Sequence, residues 1–139
     1  MHSRIALDTN IFIYQLGTHA QFFALTDLVF SWLQRPGSQA VTSTITMTEL
    51  LTQTYRNAAE QLVNEIYALL STYPNLMWIA PNIAIADRAA EIRARHGLKT
   101  PDALQAATAS HTGTTGFLTN DSAFTRVSAF ETLVLGNLL

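Results

Sequence analysis

Ile5-Ala6-Leu7-Asp8-Thr9-Asn10 is a short apolar run that stops abruptly at a carboxylate. The three apolar residues are too few for a buried helix. They fit a central strand that is apolar on both faces, as in a parallel sheet covered by helices. Asp8, Thr9 and Asn10 then fall where the strand ends. In open α/β sheets, ligands bind beyond the carboxyl ends of the strands. An Asp in that position is either a metal- or phosphate-handling group or the cap of the next helix, and Asp8 alone does not decide between them.

Outward from this strand, apolar runs and helical stripes alternate. Ile11-Phe12-Ile13-Tyr14 begins a short helix. From about residue 20 to 34, Phe22, Phe23, Leu25, Leu28, Val29, Trp32 and Leu33 recur at three- and four-residue steps, the pattern of an amphipathic helix. Pro36-Gly37-Ser38 stops it. Gln39-Ala40-Val41-Thr42-Ser43 is a second strand, and Thr44 is placed to cap a helix from Ile45 that buries Met47, Leu50 and Leu51. Glu49 lies beside that stripe, where an unpaired charge would be costly. A helix over about 57–71 turns Leu62, Ile66, Leu69 and Leu70 inward. Leu76-Met77-Trp78-Ile79 is a third strand, and Pro81-Asn82 opens a helix to His96, closed by Gly97 in a left-handed conformation.

Lys99-Thr100-Pro101-Asp102 reads as a helix start, with Thr100 as cap, Pro101 at the first position and Asp102 in the first turn, where the helix dipole favours a carboxylate. Gly116-Phe117-Leu118-Thr119 is a fourth strand. It ends in Asn120-Asp121, repeating the layout of Asp8, and Thr132-Leu133-Val134-Leu135 is a fifth. This order implies an α/β fold, a three-layer α/β/α arrangement around a mostly parallel sheet of four to five strands, built as one domain over residues 1–139.

The composition narrows the chemistry. The chain is 48% hydrophobic but only 13% charged, against ~25% in an average domain, which suits a shared interface. The net charge of −2 provides no global attraction to nucleic acid, so a polyanion would have to be held by local cations or a metal. With no cysteine, thiolate zinc sites, disulfides and cysteine nucleophiles are excluded. No apolar stretch has signal-peptide or membrane-spanning length, so a cytoplasmic protein away from the membrane is expected. His2, His19, His96 and His111 show no metal-type spacing and read as surface or capping residues.

In a parallel α/β sheet, the strand ends after Leu7 and Leu118 can share one edge, and the Asp102 helix begins at that edge. Glu49, just over a turn into its helix, can reach the same point. Asp8, Glu49, Asp102 and Asp121 would then converge, and like charges raise one another's pKa unless a cation compensates. Hard oxygen ligands suit Mg²⁺ or Mn²⁺.

Leu7-Asp8-Thr9-Asn10, Ser43-Thr44-x-Thr46-x-x-Glu49-Leu50, Leu98-Lys99-Thr100-Pro101-Asp102-Ala103-Leu104 and Phe117-Leu118-Thr119-Asn120-Asp121 together resemble the PIN domain, in the family's order and over essentially the whole chain. No single motif is specific, but the ordered set is. The subgroup most similar is the VapC-type toxins, single-domain bacterial ribonucleases paired with an antitoxin. The resemblance implies that Asp8, Glu49, Asp102 and Asp121 are acidic catalytic and metal-binding positions. Asn10 and Thr119 then match the polar and hydroxyl residues that accompany them. It further implies Mg²⁺- or Mn²⁺-dependent cleavage of RNA to 5′-phosphate and 3′-hydroxyl ends, a homodimer, and an antitoxin that masks the site.

Phe12, Tyr14, Phe22, Phe23 and Trp32 could line an antitoxin groove or simply form core. Arg93, Arg95, Lys99 and Arg126 are the candidate phosphate contacts. Among rival readings, a haloacid-dehalogenase-type phosphatase would want Asp and Thr where Asn10 and Phe12 stand. A catalytically silent RNA-binding or partner-binding module, whose acids only cap helices, is the alternative. DNA-directed cleavage by the same chemistry is also open.

Overall fold

The computed structural model describes residues 4–139; His2 lies outside them. Arg4–Leu7 forms β1, followed by α1 (Thr9–Leu16), α2 (Phe23–Leu33), β2 (Gln39–Ser43), α3 (Thr44–Arg56), α4 (Glu60–Ser71) and β3 (Leu76–Ile79). Then come α5 (Ile83–His96), α6 (Thr100–His111), β4 (Gly116–Thr119), a 3₁₀ turn (Ser122–Arg126), β5 (Glu131–Val134) and a final 3₁₀ turn (Leu135–Leu138). The sheet has five strands in the order β3-β2-β1-β4-β5, and every pairing is parallel.

Alternation along the strands divides the core into two layers. Ala6, Val41 and Phe117 face one side with Ile85, Ala89 and Ile92 of α5 and the alanines of α6. There Phe117 stacks on Phe124 and Phe130, with centroids 4.5 and 5.2 Å away. Leu7, Ala40 and Leu118 face the other side with Phe12, Phe30, Leu33, Ile66 and Leu70. The small side chains Ala103, Ala106 and Ala107 are fully buried, which lets α6 approach the sheet closely. Phe12 and Phe22 are core residues, whereas Tyr14, Phe23 and Trp32 are half-buried.

Several local expectations are corrected. Ser43, not Thr44, caps α3: it is still extended, as a cap must be, and its side chain accepts from the Ile45 N–H. Lys99, not Thr100, is the cap of α6, because its carbonyl accepts the first-turn bond from the Ala103 N–H at 2.8 Å. The missing N–H of Pro101 falls among donors that have no partner in the helix anyway. α4 starts at Glu60 and buries Val63, Ile66 and Leu70, while Leu62 and Leu69 face outward. The inward stripe is therefore Val63, Ile66 and Leu70, set by packing rather than by the stripe of Leu62, Ile66, Leu69 and Leu70 expected from the sequence. Gly97 adopts φ 71° as expected. With no heavy atom closer than 4.0 Å to a Cβ built there, Gly97→Ala should cost about 1 kcal/mol, from left-handed strain alone, measurable by urea unfolding.

Among the described residues, no helix is long and apolar enough to cross a membrane.

Candidate active site

The chain runs from β1 through β2 to β3 on one side of the sheet, then returns to build β4 and β5 on the other. The reversal falls between β1 and β4, so the crevice beyond their carboxyl ends is the topological switch point where ligands bind in such sheets. Asp8 follows β1 there, and its N–H extends the ladder to the Leu118 carbonyl at 3.0 Å.

Asp8 is 6% exposed. Its Oδ1 accepts from the Thr9 N–H at 2.8 Å, and its Oδ2 accepts from the Thr119 hydroxyl at 2.7 Å and from Asn10 Nδ2 at 3.3 Å. Helix caps normally reach the second or third helical N–H. Asp8 reaches only the first, and its other oxygen is held by the neighbouring strand, so capping does not account for it. Burial pushes its carboxyl up to about 6; the Thr119 and Thr9 hydrogen bonds oppose this, and Asp102 and Glu49 add to it by charge repulsion.

The first turn of α6 brings in Asp102, which is half-buried. Burial raises its pKa first, then the charges of Asp121 and Glu49, while Lys99 lowers it. These mutual influences place all four predicted acids around one crevice. Asp121 is exposed, accepts from the Ala123 N–H at 2.9 Å as the cap of its 3₁₀ turn, and is tied to β4 by its own N–H donating to Thr119 Oγ1 at 3.0 Å. Glu49 is more exposed than its place beside the apolar stripe suggested, and it is held by the Thr9 hydroxyl, which donates to Oε1 at 2.6 Å.

The acids are near enough to influence one another's ionisation without closing on a point. Among the described residues, no three acidic or histidine groups stand together as a ready-made metal site. Mutual repulsion favours that separation. The donor set nevertheless suits a hard divalent cation, being all carboxylate and amide oxygen. Asn10 Oδ1, beside Asp8, is a buried acceptor without a hydrogen-bond partner, and buried polar atoms are rarely left so. A cation would satisfy it and relieve the repulsion that Asp8 feels.

Of the candidate phosphate contacts, Lys99 lies at the crevice beside Asp102. Arg126 donates to the His96 carbonyl and Arg93 to the Leu98 carbonyl, both bracing the α5–α6 turn. Arg95 pairs with Glu91 at 3.3 Å. His19 is a capping residue, its Nδ1 accepting from the N–H groups of Gln21 and Phe22.

The sequence reading missed a polar group behind the acids. Thr9, Thr42, Thr46 and Gln105 are all buried and joined by hydrogen bonds. A signal was present: Thr42, Thr46 and Glu49 follow at helical steps, and Gln105 stands three residues after Asp102 in a helix otherwise rich in alanine.

The fold has relatives of low sequence identity. VapBC2 of Rickettsia felis, bound to a promoter DNA fragment, matches with TM-score 0.72 and 17% identity over 94% of this chain and 98% of its own. VapBC-1 of nontypeable Haemophilus influenzae matches at 0.72 and 22%, over 96% and 98%. The sarcin–ricin-loop-cleaving toxin VapC20 of Mycobacterium tuberculosis matches at 0.63 and 18%, over 81% and 86%. Curated proteins give no significant match to the sequence. The PIN domain family model matches residues 5–129. It therefore spans all four acids and the strands and helices that carry them, and the chain belongs to the PIN domain family.

Proposed function

We propose that the chain is a Mg²⁺- or Mn²⁺-dependent endoribonuclease, the toxin of a toxin–antitoxin pair, hydrolysing RNA to 5′-phosphate and 3′-hydroxyl ends. The observation that carries this is Asp8: a carboxyl group buried at the switch point, raised to about 6 first by burial, with Asp102 and Glu49 near enough to add to the rise by charge repulsion. Membership of the PIN family and the likeness in fold to a toxin that cleaves the sarcin–ricin loop support RNA as substrate.

Asp8, Glu49 and Asp102 would hold the cation, with Asp121 direct or through water. A bound Mg²⁺ or Mn²⁺ supplies a nucleophilic water at neutral pH and charge stabilisation for the in-line displacement at phosphorus. Thr119 and Asn10, both donating to Asp8 Oδ2, would hold the Asp8 carboxylate in position for the cation. Lys99 is the residue placed to hold a backbone phosphate beside Asp102. An antitoxin partner and a homodimer are proposed by analogy with the toxin–antitoxin complexes that share this fold. A shallow apolar hollow of about 270 Å³ lined by Ile5, Leu28, Val29 and Trp32 is surface available for such contacts.

One observation favours the silent binding module instead: Asp121 makes an ordinary capping bond. The two readings separate on incubating the chain with structured RNA, such as tRNA and ribosomal fragments, in Mg²⁺ or Mn²⁺ and in EDTA, alongside calorimetric Mn²⁺ titration. Metal-dependent cleavage is expected. Absence of both cleavage and Mn²⁺ binding would leave the module.

A further inference from the structure

The buried threonines have their hydroxyl hydrogens already assigned. Thr42 Oγ1 donates to the Leu7 carbonyl at 2.9 Å, which uses its only hydrogen. The 2.7 Å bond between Thr42 and Thr46 is therefore donated by Thr46. Thr9 gives its hydrogen to Glu49. Neither Thr9 nor Thr46 has a hydrogen left for the other, although their oxygens stand 3.3 Å apart.

Gln105 is what makes this arrangement tenable. It is 2% exposed, and its Nε2 donates to Thr46 Oγ1 at 2.7 Å and to Thr9 Oγ1 at 3.3 Å. The amide N–H group thus serves the two oxygens that would otherwise face each other as bare acceptors. Its Oε1 accepts from the Ser43 N–H at 3.4 Å, which fixes the orientation of the amide. Hydrogen bonding runs one way, from Gln105 through the Thr9 hydroxyl to Glu49. A donor that is itself accepting a hydrogen bond is polarised and donates more strongly.

Glu49 needs that donor. It is exposed on α3, and among the described residues Thr9 is its one hydrogen-bond partner. We infer that Gln105 is a positioning residue: acting through Thr9, it turns the Glu49 carboxylate into the acidic crevice without touching substrate or cation. The inference rests on the proposed metal-dependent function for its consequence, though not for its geometry.

The test pairs two readouts on the full chain. In Gln105→Met, which keeps the bulk and removes the donor, Mn²⁺ affinity by calorimetry should fall about tenfold, the usual scale for a group that orients a ligand. Thr9→Val should reproduce the loss, Thr9→Ser should restore affinity, and adding Gln105→Met to Thr9→Val should weaken binding no further. A merely structural glutamine would instead give additive losses. Independently of metal, the wild-type Thr9 hydroxyl proton should be protected from exchange and show NMR contacts to the Glu49 side chain, and both should vanish in Gln105→Met. If Gln105→Met does not fold, Thr9→Val decides the same question. Persistence of the Thr9–Glu49 contact in Gln105→Met, or unchanged Mn²⁺ affinity in the variants, overturns the inference alone. Failure of the wild type to bind Mn²⁺ overturns the nuclease reading and leaves the NMR comparison to decide the role of Gln105.

Discussion

Asp102→Asn and Asp8→Asn should each cleave RNA at no more than about a thousandth of the wild-type rate while still unfolding cooperatively. The substitution preserves shape and removes one anionic oxygen from a set that must hold a dication. Metal assistance is worth several kcal/mol at a phosphoryl centre, and about 4 kcal/mol corresponds to a thousandfold. Asp102 is the more telling position, because it is half-buried at the start of α6 and its charge contributes to the helix only through the modest first-turn dipole interaction. Initial rates at saturating Mn²⁺, with thermal melts of the same samples, check the expectation. A variant retaining rates within tenfold of wild type would place the chemistry elsewhere.

The same Asp8→Asn substitution should make the chain more stable near pH 8 in EDTA, reversing the usual cost of altering a buried residue. Burial raises the Asp8 carboxyl from the ordinary 3.8 to about 6. Between those values the folded chain retains a proton that the unfolded chain has released. Because the unfolded state binds fewer protons there, stability falls as the pH rises through that window and stays low above it. The full penalty is about 3 kcal/mol. Asparagine carries no charge, but its single oxygen cannot accept from both the Thr9 N–H and the Thr119 hydroxyl, which costs about 1 kcal/mol. A net gain of about 2 kcal/mol, or roughly 6 °C in Tm, is expected near pH 8. It should disappear by about pH 4, where the wild-type carboxyl is protonated in the folded chain. Asp102, raised first by burial and then by Asp121 and Glu49, pushes wild-type stability in the same direction. Added Mn²⁺ should stabilise the wild type by mass action and leave Asp8→Asn unmoved. An Asp8→Asn chain less stable than wild type at pH 8 would mean that the hydrogen bonds to Asp8 outweigh the cost of its burial.

These two expectations explain why both the structural and the functional account of Asp8 looked adequate at first. A carboxylate that caps a helix stabilises the fold; one that faces other carboxylates from a buried position weakens it. The burial of Asp8 and the rise in its carboxyl pKa put it with the second, and a perturbed group of that kind at the switch point of a sheet marks a candidate binding centre.

The sheet and the acids were legible because they depend on local pattern. Short strand-like runs centred on two or three apolar residues and stopping at or just before Asp8, Ser43 and Asp121, separated by stretches of helical period, leave few topologies for a parallel sheet. Asp8, Thr119 and Asp121 follow from where the strands stop, and Asp102 from where α6 starts. Other features were decided by contacts between distant segments, which local pattern does not carry. The inward face of α4 was chosen by packing, so Val63 entered the core and Leu62 did not. The exposure of Glu49, and its capture by Thr9 from 40 residues away, came from the packing of α1 beside α3. The role of Gln105 depends on three threonines from α1, β2 and α3 meeting one amide from α6. Hydrogen-bond direction is fixed only when every donor and acceptor in the group is present, and that condition exists only in the folded chain.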